Sequence, residues 1–395
     1  MAMTQSNPAG YDLIVIGAGP VGLATAWHAA RRGHPVLVLE QFDPLTERGS
    51  SGGAERQWRL QYAQEDLTRL AVAARPLWRE LEAAGERRLI HETGSLWFGD
   101  TQQATNEGQI AGAAAVLDRV GVRYEWLTAK EIEHRFPFTG LPAAYEGFYQ
   151  PDGGMIDVRA TRWVLFEQAQ RAGAVINAPS RVHEVLPDDA GVTVRTADAS
   201  YRAEKVVIAA GGFADPLLER LGITLDVELL EMTTCSFRLR DPGADLPTWF
   251  AFERATDEDT NLFYGFGRNP WSAEDLVRAG PDFEDRTLTS LHEPGHGPDQ
   301  RHLRRIAGWV TEHLPLLEPT PVRPATCRIA LPRDPARQFY LGPAGDRIVV
   351  QSAGWGFKYV PLFGRACAEL ALDSTTSFDL GRMALTGTPT TKAEG

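Results

Sequence analysis

The apolar positions change period several times along the chain, and each change marks an element. Residues 11–16, YDLIVI, are continuously apolar and β-branched, as a parallel strand covered on both faces requires. GAGPVG follows, then LATAWHAARRG, an alanine-rich helix closed by Gly33, then a second buried strand in HPVLVLE. One βαβ unit therefore opens the chain. Leu60, Leu67, Leu70, Leu77 and Leu81 recur at near-helical spacing and predict a helix from Ala54 to about Ala84. Further helices are expected over 105–120, 128–135, 157–172, 300–313 and 361–372. Strands are expected over 89–98, 229–239, 247–253 and 261–267, and in AVIN, RVHEVL, VTVRT, KVVIAAGG, TCRIA, QFYLG and IVVQSA. Residues 43–53 and 137–154, with their glycines, read as loops, and 269–300 reads as a polar excursion. Residues 1–10 and 376–395 are expected to be loosely ordered.

The buried, parallel-type strands stand at the start, near 205 and near 348, and the stretches between them look antiparallel. This predicts an α/β fold in which a dinucleotide domain is assembled from segments 11–85, 155–228 and 320–375. A mainly antiparallel domain, 86–154 and 229–319, is woven between them. The 395 residues, 43% hydrophobic and 23% charged, are ample for both cores.

A formal net charge of −12 argues against a nucleic-acid partner, which wants a basic face. Lysine occurs only at 130, 205, 358 and 392, so most positive charge is arginine, which cannot act as a proton-transfer base. Three cysteines, none in a CxxC pair, fit a reducing compartment, so a cytoplasmic location is expected. The histidines show no metal-ligand spacing, and the early apolar run is too short to cross a bilayer, so neither a metal nor a membrane is expected.

Gly17, Gly19 and Gly22 form GxGxxG between a strand and a helix, and Glu40 closes the next strand. That context makes the motif a dinucleotide fingerprint: one glycine for the tight turn, one for approach of a pyrophosphate to the helix N-terminus, one for helix–strand packing. Glu40 is placed to accept from a ribose hydroxyl. The motif alone leaves FAD and NAD open.

The opening unit, the VVIAAGGF strand-turn and TCRIALPRDPARQFYLGP with VVQSAGWGFKYVP together resemble the monomeric sarcosine oxidase and N-methyltryptophan oxidase family, within the D-amino-acid-oxidase superfamily. The resemblance covers roughly residues 11–375 and is weakest across 270–310. It implies a Rossmann-type FAD-binding domain, a mainly antiparallel substrate domain, and oxidation of the C–N bond of an amino acid or N-substituted amino acid to an imine. Oxygen is the implied acceptor, giving hydrogen peroxide, and the implied state is a monomer.

The same resemblance assigns site residues. Cys327, in the TC-x-x-x-x-x-x-D pattern, is where the family attaches its flavin covalently. Arg323 and Arg328 beside it would favour a thiolate. Arg56 and Arg59, three apart on the expected helix, would lie by the flavin and on the substrate carboxylate respectively. Ser51 and Gly52 stand where the family often has histidine. Lys358, in GWGFKYVP, is the family lysine that also grips the carboxylate, and Trp355 puts a bulky indole in a position often small in relatives. Tyr264 matches a cavity-lining tyrosine, or else is an aromatic of the core. Arg278 aligns, through the weakest stretch, with the lysine that assists oxygen; otherwise it is a surface arginine. Cofactor contacts are further expected from Pro20, Val21, Gln41, Ser50, Ser51, Val182, Ala210, Gly211, Gly354, Gly356 and Phe357. An FAD dehydrogenase with another acceptor, an NAD dehydrogenase and a non-catalytic flavin binder remain the alternatives.

Overall fold

The computed structural model describes residues 10–105, 107–254, 262–281, 286–334 and 338–385. The opening unit folds as its pattern dictates: strand β1 (Tyr11–Ile16), helix α1 (Pro20–Ala30) and strand β2 (Val36–Leu39). β1 sits at the centre of a parallel array, with β2 and then Val175–Asn177 on one side. Ser200–Ile208 and then Ile348–Ser352 lie on the other. Leu13, Ile14, Val15, Val206, Val207 and Ile208 are all fully buried, which is what a strand covered on both faces needs. Antiparallel hairpin strands Val182–Asp188 and Gly191–Thr196 and the strand Tyr340–Pro343 complete this eight-stranded sheet. α1 lies on the C-terminal helix Val360–Asp373 so closely that a Cβ on Gly364 would stand 2.3 Å from that of Ala24.

A second sheet of nine strands is antiparallel except where Ser95–Gly99 and Thr248–Phe252 run side by side in parallel. Its long strand Val227–Arg238 pairs with Val322–Pro332, so the segment carrying Cys327 belongs to this sheet. A three-stranded sheet joins the two, built from β3 (Glu55–Trp58), Gly154–Asp157 and Ile90–His91.

Three expectations are corrected. Residues 54–64 are not helical: Glu55–Trp58 is a strand locked to Gly154–Asp157, and the helix begins only at Glu65. Leu67, Leu70, Leu77 and Leu81 carried the helical period, while Leu60 is buried outside it. Residues 137–154 are not all loop, since Glu146–Gln150 and the start of Gly154–Asp157 are strands. Their glycines permit close approach rather than breaking the chain. A Cβ on Gly147 would stand 2.0 Å from the Trp97 carbonyl oxygen, and one on Gly154 2.0 Å from that of His91. The polar excursion contains Leu276–Pro281, paired to Val227–Arg238 and to Leu262–Gly265, and the short strand Arg286–Leu288. The expected loose ends 1–9 and 386–395 lie outside the described residues. Residues 376–385 are tied down: the Glu369 carboxylate accepts from Thr376 and Ser377, and Met383 is buried.

Candidate active site

A cavity of about 370 Å³ runs from the N-terminus of α1 to the turn before the C-terminal helix. At its first end Gly17 has φ +106°, and a Cβ there would stand 2.7 Å from the Ala209 carbonyl oxygen. At Gly22 a Cβ would collide with the Gly17 carbonyl oxygen at 1.9 Å, so this glycine seats α1 against the turn and does not itself line the cavity. Gly19 lines the cavity, with no atom within 4 Å of where its Cβ would be. That open cradle at a helix N-terminus fits a pyrophosphate. Glu40 lines the same end. Its Oε2 accepts from the Ala18 N–H and its Oε1 from the Phe42 N–H, both at 2.8 Å. Each carboxylate oxygen keeps a further lone pair for a ribose hydroxyl.

All the expected cofactor-contacting residues other than Gly22 line this one cavity: Pro20, Val21, Gln41, Ser50, Ser51 and Val182 toward the α1 end, with Ala210, Gly211, Gly354, Gly356 and Phe357. Gly354, at φ +82°, passes so close under Gln338 that a Cβ would stand 2.0 Å from that carbonyl oxygen. The turn that follows is fixed from outside, because buried Trp78 donates its indole N–H to the Lys358 carbonyl at 2.7 Å.

Arg56 and Arg59 are not on a helix face, and neither is a solvated basic residue. Arg56 sits in β3 and spends its guanidinium on the loop before it, donating to the carbonyls of Ser50 (2.7 Å), Gly52 (2.8 Å) and Glu55 (2.8 Å). The same guanidinium lies 3.9 Å from Cys327 Sγ. Burial lowers its pKa, Cys327 pushes it back, and Arg278 lowers it further. The two arginines expected to flank Cys327 point elsewhere: Arg323 is paired with Glu274 and Arg328 with Glu231. Arg56 takes that place. Cys235 and Cys367 are buried, and burial pushes each thiol up to about 12. Cys327 is the half-buried cysteine on the cavity wall.

The far end is aromatic and charged. Arg59 is 3% exposed and lies over the rings of Tyr62, Trp97 and Phe250, with centroids at 4.7, 5.3 and 5.1 Å. It is paired with Glu107, whose side chain is 10% exposed. Burial works to lower the Arg59 pKa, but Glu107 and Tyr62 outweigh it and hold the pKa above its usual value. Arg59 Nε and Nη1 are buried without a hydrogen-bond partner among the described residues. Lys358 is also buried, donates from Nζ to the Trp355 carbonyl at 3.1 Å, and has its pKa lowered by burial. Trp355, Tyr264 and Arg278 line the cavity too. Arg278 is in a strand, 18% exposed and in contact with Glu55, not on the surface.

Sequence reasoning did not single out Glu107, which lies in a polar turn before a helix, nor Gln57 and Phe250 on the wall. Nothing in the spacing of a lone glutamate marks it; only the fold brings it to Arg59. Among the described residues no group of metal-ligating side chains occurs, and no helix is long and apolar enough to cross a membrane.

A parallel-sheet dinucleotide fold with a glycine cradle at one end of a long cavity and buried cations at the other defines a nucleotide-cofactor oxidoreductase. The chain belongs to the FAD dependent oxidoreductase family, whose model matches residues 12–370. It is 30% identical to the peroxisomal sarcosine oxidase of Mus musculus over 94% of each chain. It is 29% identical to a putative bifunctional amine oxidase of Dictyostelium discoideum, of whose length it spans 37%. Among solved structures it resembles NikD, described as an unusual amino acid oxidase essential for nikkomycin biosynthesis, in an open form. The two share 54% identity over 95% of this chain and 97% of that one, with a TM-score of 0.90. The resemblance to the sarcosine oxidase and N-methyltryptophan oxidase group holds, and with it the FAD-type α/β fold. The NAD alternative is set aside by the family.

Proposed function

We propose that the chain oxidises the C–N bond of an amino acid, or of an N-substituted amino acid, to the imine, binding the substrate through its carboxylate. The observation that carries this is the charge at the far end of the cavity. Arg59 and Lys358 bring two positive charges and Glu107 one negative, all in a buried, aromatic setting. One carboxylate brings that end to neutrality, and Arg59 keeps two free donors to receive it. Phe250 on the cavity wall, with Tyr62 and Trp97 packed on the Arg59 guanidinium, excludes water, which strengthens each charged contact. When bound, FAD supplies the acceptor for a hydride equivalent. The protein's share is to fix the carboxylate so that the C–N bond is presented in one pose, and to keep the amine desolvated. No residue need remove a proton if the amine binds uncharged. Water then hydrolyses the imine.

Oxygen as the acceptor, with hydrogen peroxide as its product, is part of this reading, as are attachment of FAD through Cys327, a monomeric state and a cytoplasmic location. The roles proposed for Arg56 and Tyr264 are to hold the cofactor side of the cavity and to wall the substrate. The domain division proposed is 11–85, 155–228 and 320–375 for the cofactor and 86–154 and 229–319 for the substrate, with Val322–Pro332 pairing across into the nine-stranded sheet. The test is a screen of N-methyl, cyclic and primary amino acids, read anaerobically by loss of flavin absorbance near ~450 nm. Bleaching by amino acids but not by the matching amines without a carboxylate is the expected result. Bleaching by both alike overturns the carboxylate reading.

A further inference from the structure

Arg278 lies in the wall between two cavities. It lines the inner one with Arg56 and Cys327, and all three also line a second, outer cavity of about 810 Å³. Glu55 and Asn269 open on the outer cavity. Glu55 is 6% exposed, and its Oε1 stands 2.6 Å from Arg278 Nε. That approach is a charge contact whose angle leaves Nε without a formed hydrogen bond. The Glu55 carbonyl accepts from Arg278 Nη2 at 2.9 Å, and its Oε2 accepts from the Asn269 amide at 2.9 Å. The Arg278 guanidinium also lies over the Phe266 ring, 4.5 Å from its centroid. The carboxylate is thus aimed by Asn269 and held against one side of the guanidinium. Of the outer cavity's other charges, Arg323 pairs with Glu274, Arg159 with Glu47 and Arg328 with Glu231, while Arg48 and Glu293 also line it.

We propose that Glu55 is a positioning residue that halves the positive charge this wall presents to the inner cavity. Two guanidiniums and one carboxylate leave a single net charge where Arg56 and Arg278 alone would give two. The proposal rests on the reading above, in which bound FAD shares the inner cavity with Arg278. Dioxygen becomes hydrogen peroxide by taking two electrons from the reduced cofactor and two protons, and its first electron makes it an anion. A wall whose charge is partly cancelled stabilises that anion less, so this chain is tuned toward slow use of oxygen. The cancelled charge also stabilises the reduced, electron-rich cofactor less.

The experiment uses the FAD-loaded protein and two readouts: the midpoint potential of the bound flavin, and its rate of reoxidation on mixing with oxygenated buffer. Glu55→Gln removes the negative charge. It is expected to favour the reduced cofactor on the order of tenfold, about +30 mV for a two-electron couple, and to speed reoxidation. Arg278→Met is expected to move both readouts the opposite way, and the double variant, whose wall again carries a single net positive charge, to lie near wild type. If Arg278→Met moves both readouts and Glu55→Gln neither, the proposal is overturned while the placement of FAD stands. If Arg278→Met moves neither, the placement beside Arg278 fails first. Should Glu55→Gln not hold FAD, Glu55→Asp draws the carboxylate back from Nε. It is expected to shift the potential in the same direction and by less, and an unshifted potential overturns the proposal equally.

Discussion

Glu107 closes on Arg59 at the inner end of the cavity, an ion pair between side chains 10% and 3% exposed. A carboxylate of the protein therefore already occupies one side of the guanidinium proposed to receive a carboxylate from the substrate. Two anions meet two cations there when substrate is bound, because Lys358 completes the set.

That arrangement makes Glu107 a competitor of any simple anion. Glu107→Gln is expected to tighten binding of carboxylates that lack an amine by about tenfold, the size of a modest charge–charge effect in a buried site. Arg59→Met and Lys358→Met are expected to weaken the same ligands by more than tenfold, since losing one partner of a desolvated pair costs ~2–5 kcal/mol. Titration of the flavin spectrum with a carboxylate inhibitor measures all three. Equal affinities across the set would remove the clamp.

Lys358 gives the clamp a pH dependence of predictable sign. Burial, the largest cause, lowers its pKa, so it loses its proton at a pH below the ordinary lysine value of about 10.4. Carboxylate affinity is expected to be full at lower pH and to fall as pH rises through that lowered value. Bound carboxylate favours the protonated form and carries the midpoint back up. Inhibitor dissociation constants followed from neutral to alkaline pH measure this, and Lys358→Met is expected to remove that step of the fall.

Cys327 lies on the cavity wall, 3.9 Å from the Arg56 guanidinium. Acid-precipitated protein is expected to retain its yellow colour, and Cys327→Ser to release FAD to the supernatant. Arg56→Met removes the cation beside the sulfur and is expected to lower the fraction of FAD attached. Colour wholly in the wild-type supernatant shows that attachment does not occur.

Gly22→Ala tests the cradle. The added Cβ would meet the Gly17 carbonyl oxygen, a backbone atom that cannot rotate away. A cost of ~1–3 kcal/mol is expected for overpacking, with a lower melting temperature and reduced FAD content. An alanine at Gly19, where space is open, is expected to leave the apoprotein's melting temperature nearly unchanged while still weakening FAD.

The parts of this molecule legible in the sequence are those whose chemistry is local. The first βαβ unit could be read because hydrophobic run, glycine turn and acidic strand end lie within thirty residues of one another. The helices over 157–172 and 300–313 were legible from their own period. Residues 54–58 were not, because their strand is dictated by Gly154–Asp157, a hundred positions away. The family resemblance marks Arg56 and Arg59, but a strand and the residue after it, not a helix face, bring them together. Glu107 and Glu55 escaped notice because a carboxylate becomes informative only once its buried partner is known.

The parallel sheet has a consequence for how the chain is made. β1 at residues 11–16 waits for Ser200–Ile208, and that strand in turn waits for Ile348–Ser352. Helix α1 packs on Val158–Arg171 and on Val360–Asp373, and the second of these is synthesised last. The half of the protein that begins first on the ribosome is thus the half completed last. Pairings of such long sequence separation fold slowly and leave strand edges bare in the meantime. A nascent chain stalled before residue 348 would carry the glycine turn without the sheet edge that finishes it. FAD capture is therefore expected to be a late, near-terminal event in biogenesis.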